Sequence, residues 1–273
     1  MTDNLRIAIL GGGNLGNSLA SGLLQTGTFR AENLIVTRRK VQLLNHLQEQ
    51  NIQVTSDNRK AVEESRLVLI TVKPHQMQAL LTEIQDVLVP AKHILVSSVT
   101  GFSINQIRSF CGKVPVVRIM PNTAAAIGES MTCLAAQEDD KEALKEVQAL
   151  FNLLGKTLVI GEELMEASTV LGACGVAFAL RFLRAMTQGG IEIGFPSETA
   201  QFIAAQTLRG AAGLVLIKGQ HPEKEIDKVT TPMGITISGL NEMEHNGFSS
   251  ALIKGIVTSF HKIENLQPLA GKE

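Results

Sequence analysis

Three glycines stand at positions 11, 13 and 16 of Gly11-Gly-Gly-Asn-Leu-Gly16, at the spacing G-x-G-x-x-G. An apolar, β-branched run (RIAIL) precedes them, and a helical pattern follows from Asn14 to about Gln25. Between a strand and a helix, this spacing makes a phosphate seat. The glycines permit a tight turn and a close backbone approach, so the unpaired N–H groups at the helix start meet a pyrophosphate. Gly11, Gly13, Asn14, Leu15 and Gly16 are therefore candidate dinucleotide-binding residues. A glycine turn with only a packing role is the competing reading, and the flanking strand and helix count against it.

The next strand pattern ends in Val36-Thr-Arg-Arg-Lys40. Sites built for NAD usually place a carboxylate here, against the ribose hydroxyls. Thr37, Arg38 and Arg39 offer none, and two guanidiniums suit a 2′-phosphate, which arginine grips in a forked geometry. The residues thus predict NADPH, with NADH as a weaker second. For one of the two arginines, a solvated basic turn is the alternative.

A third stretch, Val229-Thr-Thr-Pro-Met-Gly-Ile-Thr236, reads as a helix start with Thr231 as N-cap and Pro232 in the first turn. A helix start carries unpaired N–H groups and partial positive charge, so it can seat a carboxylate without an arginine. Gly234 would let such a ligand approach the backbone. On residue types alone, a carboxylate seat and an ordinary cap both stand open.

These stretches need elements to position them. Up to about Gly161, near-continuous apolar strands alternate with helical patterns: RIAIL, NLIVT, QVTS, LVLITV, HILVSS, VPVVRIM, TCLAA and TLVI. Such alternation predicts an α/β, Rossmann-type, mostly parallel sheet covered on both faces. From Glu162 onward the pattern is helical, over roughly 163–189, 197–218, 222–229, 232–246 and 248–265. The expected organisation is a cofactor-binding α/β domain over residues 1–161 and an all-α domain over residues 162–273. The most apolar helix, around 164–187, carries Glu166, Arg181 and Arg184 and is expected to be a buried helix rather than a membrane span.

The 273 residues carry a formal net charge of -1. That leaves no basic field for nucleic acid, so a small molecule or a second copy of the chain is the expected partner. Three distant cysteines and six scattered histidines argue against a disulfide framework and against a metal site. With no basic-then-apolar leader layout at the amino terminus, the expected compartment is the cytoplasm.

Several segments resemble, in order, the pyrroline-5-carboxylate reductase family, the enzymes of the last step of proline synthesis. ILGGGNLG is similar to its dinucleotide turn, TVKP to its fourth-strand motif and RIMPNT to its MPNTP signature. AAQTLRGAAGLVL resembles its long carboxy-terminal helix, and HPEKEIDKVTTPMGITISGL its HP…VTSPGGTT…GL stretch. The resemblance implies hydride transfer from NADPH to the carbon of a cyclic imino acid, 1-pyrroline-5-carboxylate, giving L-proline. It also implies a homodimer through an all-α dimerisation domain, extending to larger rings, with an active site between the cofactor domain and helices of the dimer. It places Val72, Lys73, Pro74, Thr100, Gly101, Pro121, Asn122 and Thr123 around the nicotinamide. Lys73 lines the cofactor with its backbone rather than acting as an acid. Asn58 falls near the adenosine, where a helix cap is the alternative role. Thr231 and Gly234 fall at the substrate carboxylate, and Thr236 at the imine nitrogen, where its hydroxyl helps deliver the proton.

The chain departs from the family pattern at Met233, where a glycine is usual, at Ile235, at Ala124 and in Gly172-Ala-Cys-Gly-Val-Ala-Phe178. Within that last segment Cys174 reads as a buried thiol. These departures bear on the substrate more than on the fold. They leave two alternatives: a reductase of the same family for another cyclic imine, and a degenerate NADPH-binding homologue with a regulatory role. The β-hydroxyacid dehydrogenases share the layout but need a lysine early in the long helix, and residues 166–188 contain none.

Overall fold

Eight short segments, most of them strongly apolar, form one sheet, seen in a computed structural model that describes residues 5–264. The strands are β1 (Ile7–Leu10), β2 (Leu34–Thr37), β3 (Gln53–Thr55), β4 (Leu67–Ile70), β5 (Ile94–Ser97), β6 (Val116–Met120), β7 (Ser130–Ala136) and β8 (Gly155–Val159). Between them lie α1 (Asn14–Gln25), α2 (Asn45–Gln48), α3 (Asn58–Glu63), α4 (Pro74–Ile84), α5 (Ile104–Cys111) and α6 (Lys141–Phe151). The sheet order is β3-β2-β1-β4-β5-β6-β7-β8, and every neighbouring pair is parallel except β6–β7.

The inner strands are largely apolar because both faces are covered, whereas the edge strands β3 and β8 are partly polar and exposed. Ile7 and Ile9 join one buried cluster with Leu19, Ala20 and Leu23 of α1, whereas Ala8 and Leu10 join another with Met77, Leu80, Leu81 and Ile84 of α4. Each of the Ile, Leu and Met side chains among them contributes about 1.5–3 kcal/mol on full burial. The register then does the positioning. Leu10 pairs with Thr37 on one side and Ile70 on the other, so Gly11, Arg38 and Thr71 leave the same edge together. This is the carboxyl edge at the point where strand order reverses, where ligands of open α/β sheets bind.

Among the described residues none after Val159 is in a strand. A helical run follows, through a 3-10 turn (Glu162–Leu164), α7 (Met165–Ser168) and a π-helical turn (Thr169–Cys174), into α8 (Gly175–Glu192). Then come α9 (Ser197–Lys218), α10 (Pro222–Val229), α11 (Ile235–His245) and α12 (Phe248–Glu264). By contacts the chain divides into two units. Of the described residues, one unit holds 5–174 together with 259–264, and the other holds Gly175–Thr258.

In the second unit α8 and α9 pack closely. A Cβ on Gly190 would stand 3.0 Å from that of Ala200, and Phe182 meets Phe248 at 5.8 Å between ring centroids. The long apolar helix expected to be buried is not buried within the chain. No residue of α8 is fully covered, and Leu180 and Ile191 are exposed, as are Phe202, Leu216 and Ile217 on α9. Both Glu162–Glu192 and Ser197–Lys218 are long and apolar enough to cross a membrane, by length and composition alone. One chain does not supply enough apolar surface to cover them, and exposed apolar area on this scale marks an interface.

In the first unit Arg118 of β6 is 2% exposed and pairs with two carboxylates, Glu162 at 3.2 Å and Glu166 at 3.0 Å. Glu162 also accepts from the Ile104 amide at 2.6 Å, at the start of α5. This network ties the sheet to the helical run that follows it. Removing a buried charge from such a set typically costs about 3–5 kcal/mol because the partners lose their counter-ion. Arg118→Met is expected to lower the unfolding free energy by about 3 kcal/mol, and Glu162→Gln by under about 1 kcal/mol, since that carboxylate is only part-buried. Urea denaturation followed by circular dichroism reads both.

Candidate functional site

The glycine turn is fixed from three sides. The amides of Gly11 and Gly12 both donate to the carbonyl of Thr37, at 3.2 and 2.7 Å. The hydroxyl of Thr71 donates to the Gly11 carbonyl at 2.7 Å. Gly11 itself sits at φ +117, a region that favours glycine, and a Cβ there would stand 2.9 Å from the Thr71 carbonyl carbon. A Cβ on Gly16 would stand 2.3 Å from the Gly11 carbonyl oxygen. Gly13 differs from both: a Cβ there meets nothing within 4 Å, and the residue is the N-cap of α1 with no side-chain capping bond. It lies on the wall of a cleft, so a bare helix start faces that space.

The cleft has a volume of about 1200 Å³ and gathers Gly11, Gly13, Arg38, Arg39, Asn58, Val72 and Lys73 of the predicted site residues. Asn14 and Leu15 begin α1 beside it, and Gly16 is buried behind the turn. Pro74, Thr100, Gly101, Pro121 and Asn122 are not among the lining residues. Pro74 opens α4, while the other four follow β5 and β6 at the same carboxyl edge, with Gly101 at φ +83. Arg38 is partly engaged inside the protein, because its guanidinium donates to the Gly12 carbonyl at 2.8 Å. Lys73 donates its backbone N–H to Gln76 Oε1 at 3.3 Å.

Two side chains have roles that the sequence did not disclose. Asn58 is not the cap of α3. Asp57 is, accepting from the Lys60 amide at 3.0 Å, and Asn58 is left to accept from the Thr37 hydroxyl at 2.6 Å. Asn122 has both ends of its amide engaged within the first unit. Its Oδ1 accepts from Ala124 N at 3.0 Å and its Nδ2 donates to the Gly172 carbonyl at 3.1 Å. Gly172 belongs to the π-helical turn, whose backbone pairing is offset from that of an α-helix, so Asn122 fastens that turn to the sheet edge.

Sequence reasoning also missed Lys40, Leu43, Ser56, Thr71, Gln76, Ala79 and Glu83, all of which line the cleft. The signal for three of them was helical phase. Gln76, Ala79 and Glu83 of α4 lie on the face opposite Met77, Leu81 and Ile84, which are buried in the core.

The stretch around Thr231 is described within the second unit. Thr231 is not the N-cap of a helix. Gly234 N donates to Thr231 O at 2.9 Å, closing a four-residue turn with Pro232 and Met233 at its centre, and α11 starts only at Ile235. Proline fits the second position of such a turn, and its third position has positive φ, which Met233 adopts at +58. Gly234 caps α11 with no side-chain bond, and a Cβ there would stand 2.5 Å from Thr231 Oγ1. Thr236 is the second residue of α11 and is exposed, as are Met233 and Ile235.

The three cysteines are free, with Cys111 and Cys133 buried. Burial pushes the Cys111 thiol up to about 11. Cys174, expected to be buried, is half-buried on the π-helical turn.

Sheet order, glycine turn and cleft define a dinucleotide-binding protein of the Rossmann class. Residues 162–266 match the family model described as pyrroline-5-carboxylate reductase dimerisation, and residues 6–101 the one described as NADP oxidoreductase coenzyme F420-dependent. Pyrroline-5-carboxylate reductase 2 of Dictyostelium discoideum is 43% identical, across 100% of this chain and 96% of that protein. Pyrroline-5-carboxylate reductase 1 of the same organism is 46% identical across 95% of this chain, which spans about half (49%) of that relative's length. The solved structure of Plasmodium falciparum pyrroline carboxylate reductase with NADP bound has a TM-score of 0.88 at 23% identity, over 98% of this chain and 100% of that one. At that identity the likeness is one of fold. The chain belongs to the pyrroline-5-carboxylate reductase family, and its carboxy-terminal helices are the oligomerisation region of that family.

The glycines separate two effects. Gly16→Ala is expected to cost about 1–3 kcal/mol of stability by overpacking against the Gly11 carbonyl. Gly13→Ala is expected to cost under about 1 kcal/mol and to weaken dinucleotide binding at least about tenfold. Thermal melts paired with fluorescence titration of the dinucleotide read the two outcomes.

Proposed function

We propose that this protein reduces 1-pyrroline-5-carboxylate to L-proline with NADPH. The reading is carried by the cationic end of the cleft. The wall that begins at the bare start of α1 continues to Arg38, Arg39 and Lys40, where an NAD site would hold a carboxylate. The imino-acid substrate follows from family membership across the full chain.

NADPH, when bound, supplies the hydride. The open N–H groups of the first turn of α1, just after Gly13, hold the pyrophosphate. Arg38 braces the glycine turn through the Gly12 carbonyl, which leaves Arg39 and Lys40 to carry the 2′-phosphate charge. The loops after β4, β5 and β6, with Val72, Lys73, Pro74, Thr100, Gly101, Pro121 and Asn122, support the nicotinamide. Asn122 does so indirectly, since its amide is already bonded to Gly172 and Ala124. On the substrate side, Thr231 and Gly234 shape the turn before α11, and the uncapped first turn of that helix takes the carboxylate. The Thr236 hydroxyl stands at the imine nitrogen and holds its proton. A protonated imine is a good hydride acceptor, so positioning is the main demand, worth about 7–11 kcal/mol at best.

We further propose a functional division into a cofactor half, residues 1–161, and a substrate and dimerisation half, residues 162–273. Larger rings of the dimer and a cytoplasmic setting complete the reading, and NADH serves as a weaker coenzyme.

Adding pyrroline-5-carboxylate is expected to consume NADPH absorbance and yield proline by mass spectrometry, with NADPH preferred over NADH. No turnover would overturn the reading. Thr236→Ala is expected to lower kcat at least about tenfold while NADPH affinity stays within about twofold. Loss of cofactor affinity instead would remove Thr236 from the substrate side. Arg39→Ala is expected to weaken NADPH binding at least about fivefold and spare NADH.

A further inference from the structure

The same cleft contains one carboxylate, and a chain of hydrogen bonds fixes where it stands. The Thr37 hydroxyl, at the end of β2, donates to Asn58 Oδ1 at 2.6 Å. Asn58 Nδ2 then donates to both oxygens of Glu83, at 3.2 and 3.1 Å. The Glu83 carboxylate only accepts, so the Asn58 amide must turn Nδ2 to it and leave Oδ1 to accept from the Thr37 hydroxyl. Thr37, Asn58 and Glu83 all line the cleft, as do Arg38, Arg39 and Lys40.

The position of this chain carries the inference. Dinucleotide sites that accept NAD grip the ribose hydroxyls with an acidic residue at the end of β2. Here that strand ends in Thr37 and two arginines. Glu83 arrives at the neighbouring place from α4, one amide away from the strand end. A carboxylate there accepts from a ribose hydroxyl and repels a 2′-phosphate, so it acts in opposite directions on the two coenzymes. The cations at 38–40 act in the contrary sense.

We propose that Glu83, held by Asn58, is the residue that sets coenzyme choice, admitting NADH to a cleft whose cations favour NADPH. The proposal rests on the dinucleotide reading of the cleft. Glu83 is exposed on its helix, so its replacement leaves the fold in place.

The test is direct binding of NADPH and NADH to the wild-type chain, Glu83→Gln and Glu83→Ala at low and physiological salt, read by ligand fluorescence without substrate. Glu83→Gln is expected to tighten NADPH and weaken NADH, each by about three- to tenfold at low ionic strength, with the NADPH effect shrinking as salt rises. Glu83→Ala is expected to move the ratio of the two affinities the same way. Equal changes for both coenzymes, or a ratio that stays within about twofold of wild type, would overturn the role of Glu83 while leaving the cleft a dinucleotide site. A wild-type chain that binds neither coenzyme would overturn both readings.

Discussion

The carbonyl oxygen of Gly11 is the point on which the nucleotide-binding unit depends. The Thr71 hydroxyl donates to it from the residue after β4, and Gly16 of α1 passes so close that a methyl group would stand 2.3 Å away. Two strands and a helix therefore converge on one peptide group, and only glycine fits on the helix side. The parallel register makes this possible by ending β1 level with Thr37 and Ile70. Were β1 to end a residue later, Thr71 would face a different carbonyl, and the helix start would point away from the cleft. The phosphate seat is thus a consequence of strand register as much as of the glycines.

A second constraint acts where the first unit meets its own helical run. Arg118 gathers Glu162 and Glu166, and Asn122 holds the π-helical turn by the Gly172 carbonyl. Both residues lie on one strand and the loop after it, four positions apart. The resemblance assigns this segment to the nicotinamide, yet its polar side chains are engaged within the protein. That is compatible with a cofactor wall made of backbone, because a wall must be rigid and its side chains are what make it so. The segment Gly172–Phe178, where the chain leaves its family pattern, begins at the carbonyl that Asn122 holds. Backbone bonding of this kind does not depend on which side chains follow, so residue types can change there without loss of the joint.

The strands were legible because burial on both faces leaves a continuous apolar run, which few other structures produce. The dinucleotide turn was legible because its glycine spacing sits between a strand and a helix. What escaped was relational. Nothing near Asn58 in sequence announces Thr37 or Glu83, 21 and 25 positions away, and a hydroxyl–amide–carboxylate chain is visible only once β2, α3 and α4 are side by side. The apolar helix expected to be buried was misjudged for a similar reason. Composition reports that a face wants cover, not whether the same chain provides it. Thr231-Pro232 was misread because Ser/Thr-Pro opens both helices and turns, and the residue two places on decides between them.

That residue is Met233. It sits at φ +58, where a side chain costs about 1–2 kcal/mol relative to glycine, and it is fully exposed, so no packing within the chain offsets the strain. The family pattern has glycine here, which the turn geometry explains without reference to any ligand. Retaining the turn with a methionine means that the bond from Gly234 to Thr231 and the following helix outweigh the strain. A Cβ on Gly234 would stand 2.5 Å from Thr231 Oγ1, so the glycine next to Met233 lets the backbone pass close to that threonine. The methionine adds an exposed side chain beside the start of α11. On the proposal that the start of α11 seats the substrate carboxylate, a change of substrate among close relatives would be expressed in side-chain bulk at 233 and 235.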